Sequence, residues 1–233
     1  MHMSAFELSI IVPAYNEANH LEAVISEMSD VFDAAHLDYE ILIVNNGSRD
    51  STGEVMEKLQ ARNPRITRLY LRENQQYGGG ILAGLEKARG ATIGWAHADG
   101  QANPEDIVRL YREMKTKGYE IGKAVRTVRY ESPWRKVQGR IWFTIFRTLF
   151  PSPYRDVNAT PKLLTRRAAE ILKLDSHDWF LDPELVIRAI RHRIPICEVE
   201  TVWRSRKSGS TRAHLLTGLE FLKNLLLYRF GLK

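Results

Sequence analysis

Four times in its first 125 residues the chain sets a short apolar run ahead of a longer stretch whose apolar residues recur at helical spacing. That alternation calls for βαβ units and a parallel sheet, because parallel neighbours need a crossover and the crossover helix then covers the sheet face. LSIIVP (Leu8 to Pro13) is the first strand, followed by a helix from Glu17 to about Ala35 with Leu21, Val24, Ile25, Met28 and Phe32 on one face. EILIVN (Glu40 to Asn45) precedes a helix from Ser51 to Arg62. ITRLYLR (Ile66 to Arg72) feeds a glycine-rich turn, YGGG (Tyr77 to Gly80), and a helix to about Ala88. ATIGWA (Ala91 to Ala96) leads to a helix from Pro104 to about Lys117, and YEIGKAV (Tyr119 to Val125) is a fifth strand. Ligands of such sheets bind outside the carboxyl ends of the strands, where helix amino termini face the crevice. PAYNE (Pro13 to Glu17), NNGSRD (Asn45 to Asp50) and HADGQ (His97 to Gln101) all open on that edge.

HADGQ carries the most chemistry. In an extended segment side chains two apart point the same way, so His97, Asp99 and Gln101 can converge on one cation with imidazole, carboxylate and amide oxygen. A divalent ion held by so few protein groups also wants phosphate. The same residues suit a helix start, with Asp99 or Asn103 as cap, Pro104 at the first helical position, and Glu105 and Asp106 in the first turn. YGGG lacks both the GxGxxG spacing and the GKS/T of a P-loop, which sets aside a dinucleotide dehydrogenase or a P-loop ATPase.

The second half departs from the alternation. Trp134 to Phe150 reads as an aromatic-rich helix, and Asp156 to Arg167 as a turn and short strand entering a helix through Leu174. Phe180 to His192 reads as a helix starting near Pro183, Ile194 to Arg204 as a strand, and RKSGST (Arg206 to Thr211) as a polar loop. The tail from Arg212 to Phe230 is helical, with Leu215, Leu216, Leu219, Leu222, Leu226 and Phe230 on an apolar stripe suited to a bilayer surface or to the core. Charge gathers here. From Tyr119 to Glu170 eleven Lys and Arg face four acids, a local excess of seven against +6 for the whole chain. Basic residues interleaved with Trp134, Trp142, Phe143, Phe146 and Phe150 suggest an anionic partner beside an apolar surface: lipid phosphate, a membrane interface or nucleic acid. The single cysteine, Cys197, excludes an intramolecular disulfide and a multi-cysteine zinc cluster, and reads as a buried structural thiol. No segment approaches the roughly 20 apolar residues of a membrane span, and the amino terminus lacks a basic leader, so the expected location is cytoplasmic, peripheral at the inner face of the membrane.

PAYNE, VNNGSRDST, REN followed by YGGG, and HADGQANPE, in that order, resemble the inverting family 2 glycosyltransferases with the GT-A fold. WRKVQG (Trp134 to Gly139), RDVNATPK (Arg155 to Lys162), DPEL (Asp182 to Leu185) and RKSGS (Arg206 to Ser210) extend the resemblance to the polyprenyl-phosphate sugar transferases, the dolichol-phosphate mannose synthases among them. The resemblance implies an α/β fold with a central, mostly parallel sheet flanked by helices. It implies one GT-A catalytic domain over residues 1–211, its nucleotide-sugar half at 1–125 and its acceptor half at 126–211, ahead of an amphipathic helix at 212–233. It implies Pro13, Tyr15 and Glu17 for base and ribose, with Asn46, Gly47, Ser48 and Ala98 nearby. Asn45 and Asn46 stand where the family often has two aspartates, and an asparagine both accepts and donates. The family's DxD becomes His97, Ala98 and Asp99, so the implied metal ligands are His97, Asp99 and Gln101. The implied ion is Mn2+ or Mg2+, and imidazole favours manganese.

The implied partners are a nucleotide diphosphate sugar, UDP- or GDP-linked, and a polyprenyl phosphate such as dolichyl or undecaprenyl phosphate, with a peripheral membrane contact and no nucleic acid. A phosphate monoester is already nucleophilic at neutral pH, so what it needs is guanidinium clamping. The resemblance assigns this to Arg126, Arg135 and Arg206, with Arg129 and Arg140 in reserve, while Asp99 serves the leaving group. Gly139 departs from the family, whose motif continues there to a serine. Two rival expectations follow. Transfer to a saccharide hydroxyl in cell-surface polysaccharide assembly would call on Asp182 or Glu184 as general base. A non-enzymatic anion- or nucleic-acid-binding module built on Tyr119 to Glu170 would bind oligonucleotides in a salt-sensitive way, with no metal-dependent nucleotide affinity.

Overall fold

LSIIVP forms the middle of β1 (Phe6–Ala14), which hydrogen-bonds in parallel register to β2 (Tyr39–Asn46) on one side and to β4 (Gly90–Trp95) on the other. The computed structural model describes residues 5–128, 133–204 and 215–231, without the side chains of 128, 133–136 and 215–219. Between these strands run α1 (Leu21–Ala34), α2 (Thr52–Arg62), β3 (Ile66–Leu71) and α3 (Gln76–Lys87). Then come α4 (Pro104–Lys117), β5 (Ile121–Val128), α5 (Pro133–Leu149), β6 (Lys162–Thr165), α6 (Arg166–Leu172), α7 (Leu181–Arg191), β7 (Ile196–Val202) and α8 (Leu215–Arg229). The seven strands make one sheet in the order β3-β2-β1-β4-β6-β5-β7. Only β6 runs against the rest, antiparallel to both β4 and β5.

Helices cover both faces of this sheet, so its central strands read as continuous apolar runs rather than alternating ones. Every residue of β2 is buried. One core layer packs Ile10, Val12, Ile41 and Ile43 against Leu21, Ile25, Met28 and Phe32 of α1 and Ile107, Leu110 and Met114 of α4. The other packs Ile11, Leu42, Val44, Ile93 and Trp95 against α3, α6 and α7. Each such aliphatic or aromatic side chain contributes about 1.5–3 kcal/mol by leaving water. The first helix begins at Leu21 rather than Glu17, the backbone of residues 16–18 being hydrogen-bonded to the segment after β2. Cys197 is buried at the start of β7, as expected of a structural thiol.

Among the described residues, part of the basic segment turns inward rather than forming a face. Lys123 and Lys162 are fully buried, and ion pairs join Lys123 to Glu198, Lys162 to Asp182, Arg126 to Asp156, Arg155 to Glu198 and Glu200, and Arg167 to Glu120. Part of its excess charge is thus met by Asp182, Glu198 and Glu200, three carboxylates from later in the chain. The tail helix also sits differently from the expected stripe. Asn224, Leu225 and Tyr228 are buried, while Leu226 and Phe230 are 40% and 71% exposed. Bonds from Asn224 Nδ2 to Asp178 Oδ2 (2.6 Å) and from Tyr228 Oη to Glu184 Oε1 (2.7 Å), with Phe180 and Phe221 in contact, set the rotation of α8. Among the described residues no helix is long and apolar enough to cross a membrane.

Candidate active site at the carboxyl edge of the sheet

The loops after β1 and β2 are laced together. The Asn16 and Arg49 amides donate to Ser48 Oγ (3.0 Å) and Asn16 Oδ1 (2.8 Å), and the Glu17 and Ala18 amides donate to Thr52 Oγ1 (2.9 Å) and Asp50 Oδ2 (3.3 Å). Asn16 itself takes a left-handed turn at φ 56°. Pro13, Tyr15, Glu17, Gly47 and Ser48 stand partly open on this edge, with Glu17 held by His20 at 2.8 Å. Gly47 has φ +72°, and a methyl group there would lie 2.6 Å from the backbone of Glu73 and Asn74, so only glycine fits.

Asn46 does not face the crevice. It is 4% exposed, its Oδ1 accepts from the Gln75 amide (2.9 Å) and its Nδ2 donates to the Gln76 carbonyl (2.6 Å), fastening the start of α3. An aspartate could accept but not donate here, which accounts for the amide where the family often carries an acid. Asn45 Oδ1 accepts from the Ser48 amide at 2.8 Å. Both asparagines shape the loop, and Ala98, 4% exposed, offers its backbone alone.

His97 and Asp99 lie where β4 ends. His97 Nδ1 is 4.0 Å from Asp99 Oδ2, while Asp99 Oδ1 accepts from the Gln101 amide at 3.0 Å. Neither Asp99 nor Asn103 caps α4 through its side chain: Asn103 Oδ1 instead accepts from Arg204 at 2.8 Å. Gln101 Nε2 donates to the Arg204 carbonyl (3.3 Å), joining this loop to the end of β7. Behind His97 stands a chain of buried polar groups. His97 Nε2 is 3.2 Å from Tyr77 Oη, Tyr77 donates to Asp182 Oδ2 (3.2 Å), and Asp182 Oδ1 receives Lys162 Nζ (2.8 Å) and Trp95 Nε1 (3.3 Å). Burial pushes the His97 imidazole below its ordinary range against the opposing pull of Asp99 and Asp182, and pushes the Tyr77 phenol well up. Trp179 stacks on Tyr77 with centroids 4.4 Å apart, and Trp203 meets the His97 ring edge-on at 6.1 Å. Trp95, Trp179 and Trp203 stand in none of the quoted motifs, and Tyr77 and Lys162 stand in YGGG and RDVNATPK without an assigned role; only the contact between distant segments reveals what they do.

Arg126 reaches this edge with its guanidinium engaged. Nε and Nη2 bond Asp156 at 2.7 and 2.6 Å, and the group lies 4.5 Å over the Trp203 ring. Arg135 is in the first turn of α5 with its side chain outside the description, Arg140 is exposed further along that helix, and Arg129 and Arg206 lie outside the described residues. Glu184 is not placed as a base. It is fully buried, accepting from the Asp175 and Ser176 amides, Arg188 and Tyr228 at the joint between α7 and α8. Asp182 is 3% exposed and already receives three donors.

The residues present fit a divalent ion that also binds phosphate. Two ligand bonds of about 2.1 Å span at most about 4.2 Å, so His97 Nδ1 and Asp99 Oδ2 at 4.0 Å are within reach of one ion. Among the described residues no group of three His, Cys, Asp or Glu stands that could hold a metal by itself, so the remaining ligands would be amide oxygen, water or phosphate.

The chain is similar to known proteins along most of its length. The family model described as glycosyl transferase family 2 matches residues 9–170. An undecaprenyl-phosphate 4-deoxy-4-formamido-L-arabinose transferase of Pseudomonas aeruginosa is 33% identical over 94% of this chain and 64% of its own length. A dolichyl-phosphate beta-glucosyltransferase of Trichomonas vaginalis is 26% identical over 97% of this chain and 75% of its own. The glycosyltransferase AglD of Haloferax volcanii is 27% identical over 90% of this chain but only 35% of its own, so the chain spans from about a third to three quarters of the length of these relatives. Among solved structures, glucosyl-3-phosphoglycerate synthase of Mycobacterium tuberculosis with Mn2+, UDP-glucose and phosphoglyceric acid superposes at a TM-score of 0.75, with 17% identity, over 97% of this chain and 80% of that one. That likeness bears out the GT-A architecture expected from the ordered loops.

Proposed function

Because the chain belongs to glycosyl transferase family 2 and is a glycosyltransferase, we propose that it moves a sugar from a nucleotide diphosphate donor to a polyprenyl phosphate, with inversion and with the help of a divalent ion. The observation that carries the acceptor class is the state of Asp182 and Glu184. A hydroxyl acceptor would call on one of them as base, and both are buried and bonded to other groups, whereas a phosphate oxygen needs no base. The two relatives named for polyprenyl phosphates support the same choice.

In this reading Pro13, Tyr15, Glu17, Gly47 and Ser48 receive base and ribose, of a UDP- or GDP-linked donor, while Asn46 holds their loop to α3. His97, Asp99 and Gln101 face the diphosphate. A Mn2+ or Mg2+ ion bound there would neutralise the charge gathering on the leaving nucleoside diphosphate. An acceptor phosphate oxygen attacks the anomeric carbon on the face opposite the diphosphate; the new carbon–oxygen bond forms as the old one breaks, and no proton has to move. The resemblance gives the clamping of the acceptor phosphate to Arg135 and Arg206 together with Arg126, which Asp156 and Trp203 orient. Membrane contact falls to α5 and α8, which meet through Trp142 and Phe221 (5.5 Å) and expose Val137, Ile141, Leu226 and Phe230. On this reading the protein works as a peripheral enzyme at the inner face of a membrane.

Radiolabelled UDP- and GDP-sugars supplied with polyprenyl phosphate and Mn2+ test the proposal. Label entering a lipid-extractable product, and lost with Asp99→Ala, is expected. Label entering only a water-soluble saccharide would overturn the acceptor assignment.

A further inference from the structure

We propose that Tyr77, held by Asp182 and Lys162, is a positioning residue that keeps His97 in the Nε2-protonated tautomer and so presents the Nδ1 lone pair toward Asp99. The inference rests on the reading of His97 and Asp99 as ligands of a divalent ion. It follows from counting protons along the buried chain. The Asp182 carboxylate, paired with Lys162 at 2.8 Å, only accepts, so the single hydroxyl proton of Tyr77 goes to Asp182 Oδ2 at 3.2 Å. The phenol oxygen then has only lone pairs to offer the imidazole. At 3.2 Å from that oxygen, His97 Nε2 must be the donor, and the lone pair of the neutral ring is left on Nδ1, the nitrogen 4.0 Å from Asp99 Oδ2. Partners that fix a ligand histidine's tautomer typically change metal affinity 10–100-fold. A carboxylate at position 97 would have no tautomer to fix, so this role of Tyr77 exists only with the imidazole in place.

Tyr77→Phe removes the hydroxyl and keeps the ring that stacks on Trp179. Mn2+ is titrated calorimetrically in the presence of UDP, and again of GDP, into the parent protein, Tyr77→Phe, His97→Asp and the double variant. Nitrogen chemical shifts of His97 are read without metal and assigned by their loss in His97→Asp. The expected result is an Nε2-protonated ring in the parent, a shift toward the other tautomer in Tyr77→Phe, and Mn2+ affinity about 10-fold or more lower for that variant. In the His97→Asp background Tyr77→Phe should leave Mn2+ affinity unchanged, which a general loss of packing would not do. An unaltered tautomer with unaltered Mn2+ affinity in Tyr77→Phe overturns the role of Tyr77 while the metal site stands. A parent protein that binds no Mn2+ with either nucleotide overturns both.

Discussion

Gly78→Ala tests why the turn before α3 is rich in glycine. A methyl group on Gly78 would lie 2.1 Å from the Ser176 carbonyl oxygen, 2.8 Å from that of Asp178 and 2.8 Å from the His177 carbonyl carbon. All three atoms are backbone, so no side chain can rotate out of the way. Intrinsic helix propensity pulls in the other direction, because alanine is favoured over glycine inside a helix by about 1 kcal/mol. Against that gain, forcing a methyl into a packed contact costs about 1–3 kcal/mol. Moving the Ser176 backbone also loosens the amide bonds of Asp175 and Ser176 to the buried Glu184 carboxylate (3.0 and 2.8 Å), another about 1.5–3 kcal/mol. The balance is a loss of about 3 kcal/mol, equal to a melting temperature lower by about 6–12 °C for a chain of this size. Gly118→Ala is the control: its backbone is left-handed at φ +71° with nothing within 4 Å, so it bears only the conformational cost of about 1–2 kcal/mol. Scanning calorimetry at one pH ranks the variants. Gly78→Ala melting at or above the parent temperature would refute the close approach of α3 to residues 176–178, and with it the account of how Trp179 comes to stack on Tyr77.

Two further outcomes follow from buried polar groups. Burial brings the Lys123 ammonium down from its ordinary 10.5 to about 8, in spite of Glu198 at 2.9 Å, with Lys162 lowering it further and Asp156 opposing. Between pH 8 and 10.5 the folded protein has released this proton and the unfolded chain still holds it, so this group makes stability rise with pH through that window, by roughly 3 kcal/mol in all. Denaturant titrations across the window should show that rise in the parent and lose it in Lys123→Met; a parallel dependence in both would contradict it. Asn46→Asp sets a carboxylate against the Gln76 carbonyl that Asn46 Nδ2 now serves at 2.6 Å, and should cost about 1–3 kcal/mol in chemical denaturation, whereas an unchanged midpoint would free Asn46 for the nucleotide.

The strands and crossover helices were legible because both faces of the sheet are covered, which turns LSIIVP, EILIVN and ATIGWA into uninterrupted apolar runs that length and neighbouring turns then sort into strands. The ordered loops placed the crevice. What was hidden is what depends on partners far along the chain. Lys123 and Lys162 counted as surface charge until Glu198 and Asp182 came beside them. The reversed direction of β6 leaves no trace in the four residues KLLT, whose apolar pattern suits either direction. The stripe on α8 was offset because hydrogen bonds from Asn224 and Tyr228, rather than apolar area alone, decide which side faces inward. Tyr77 meets a partner 105 residues away, a relation that periodicity does not carry.

Isothermal titration of UDP and of GDP, each with and without Mn2+, into the parent protein and Asp99→Ala tests most directly whether the loops at the carboxyl edge form a metal-assisted nucleoside diphosphate site. The account predicts that Mn2+ tightens one of the two nucleotides about tenfold or more in the parent, a coupling of about 1.4 kcal/mol, and that Asp99→Ala abolishes the gain without abolishing binding. Equal affinity with and without Mn2+ in the parent, or a Mn2+ gain that survives Asp99→Ala, would contradict it.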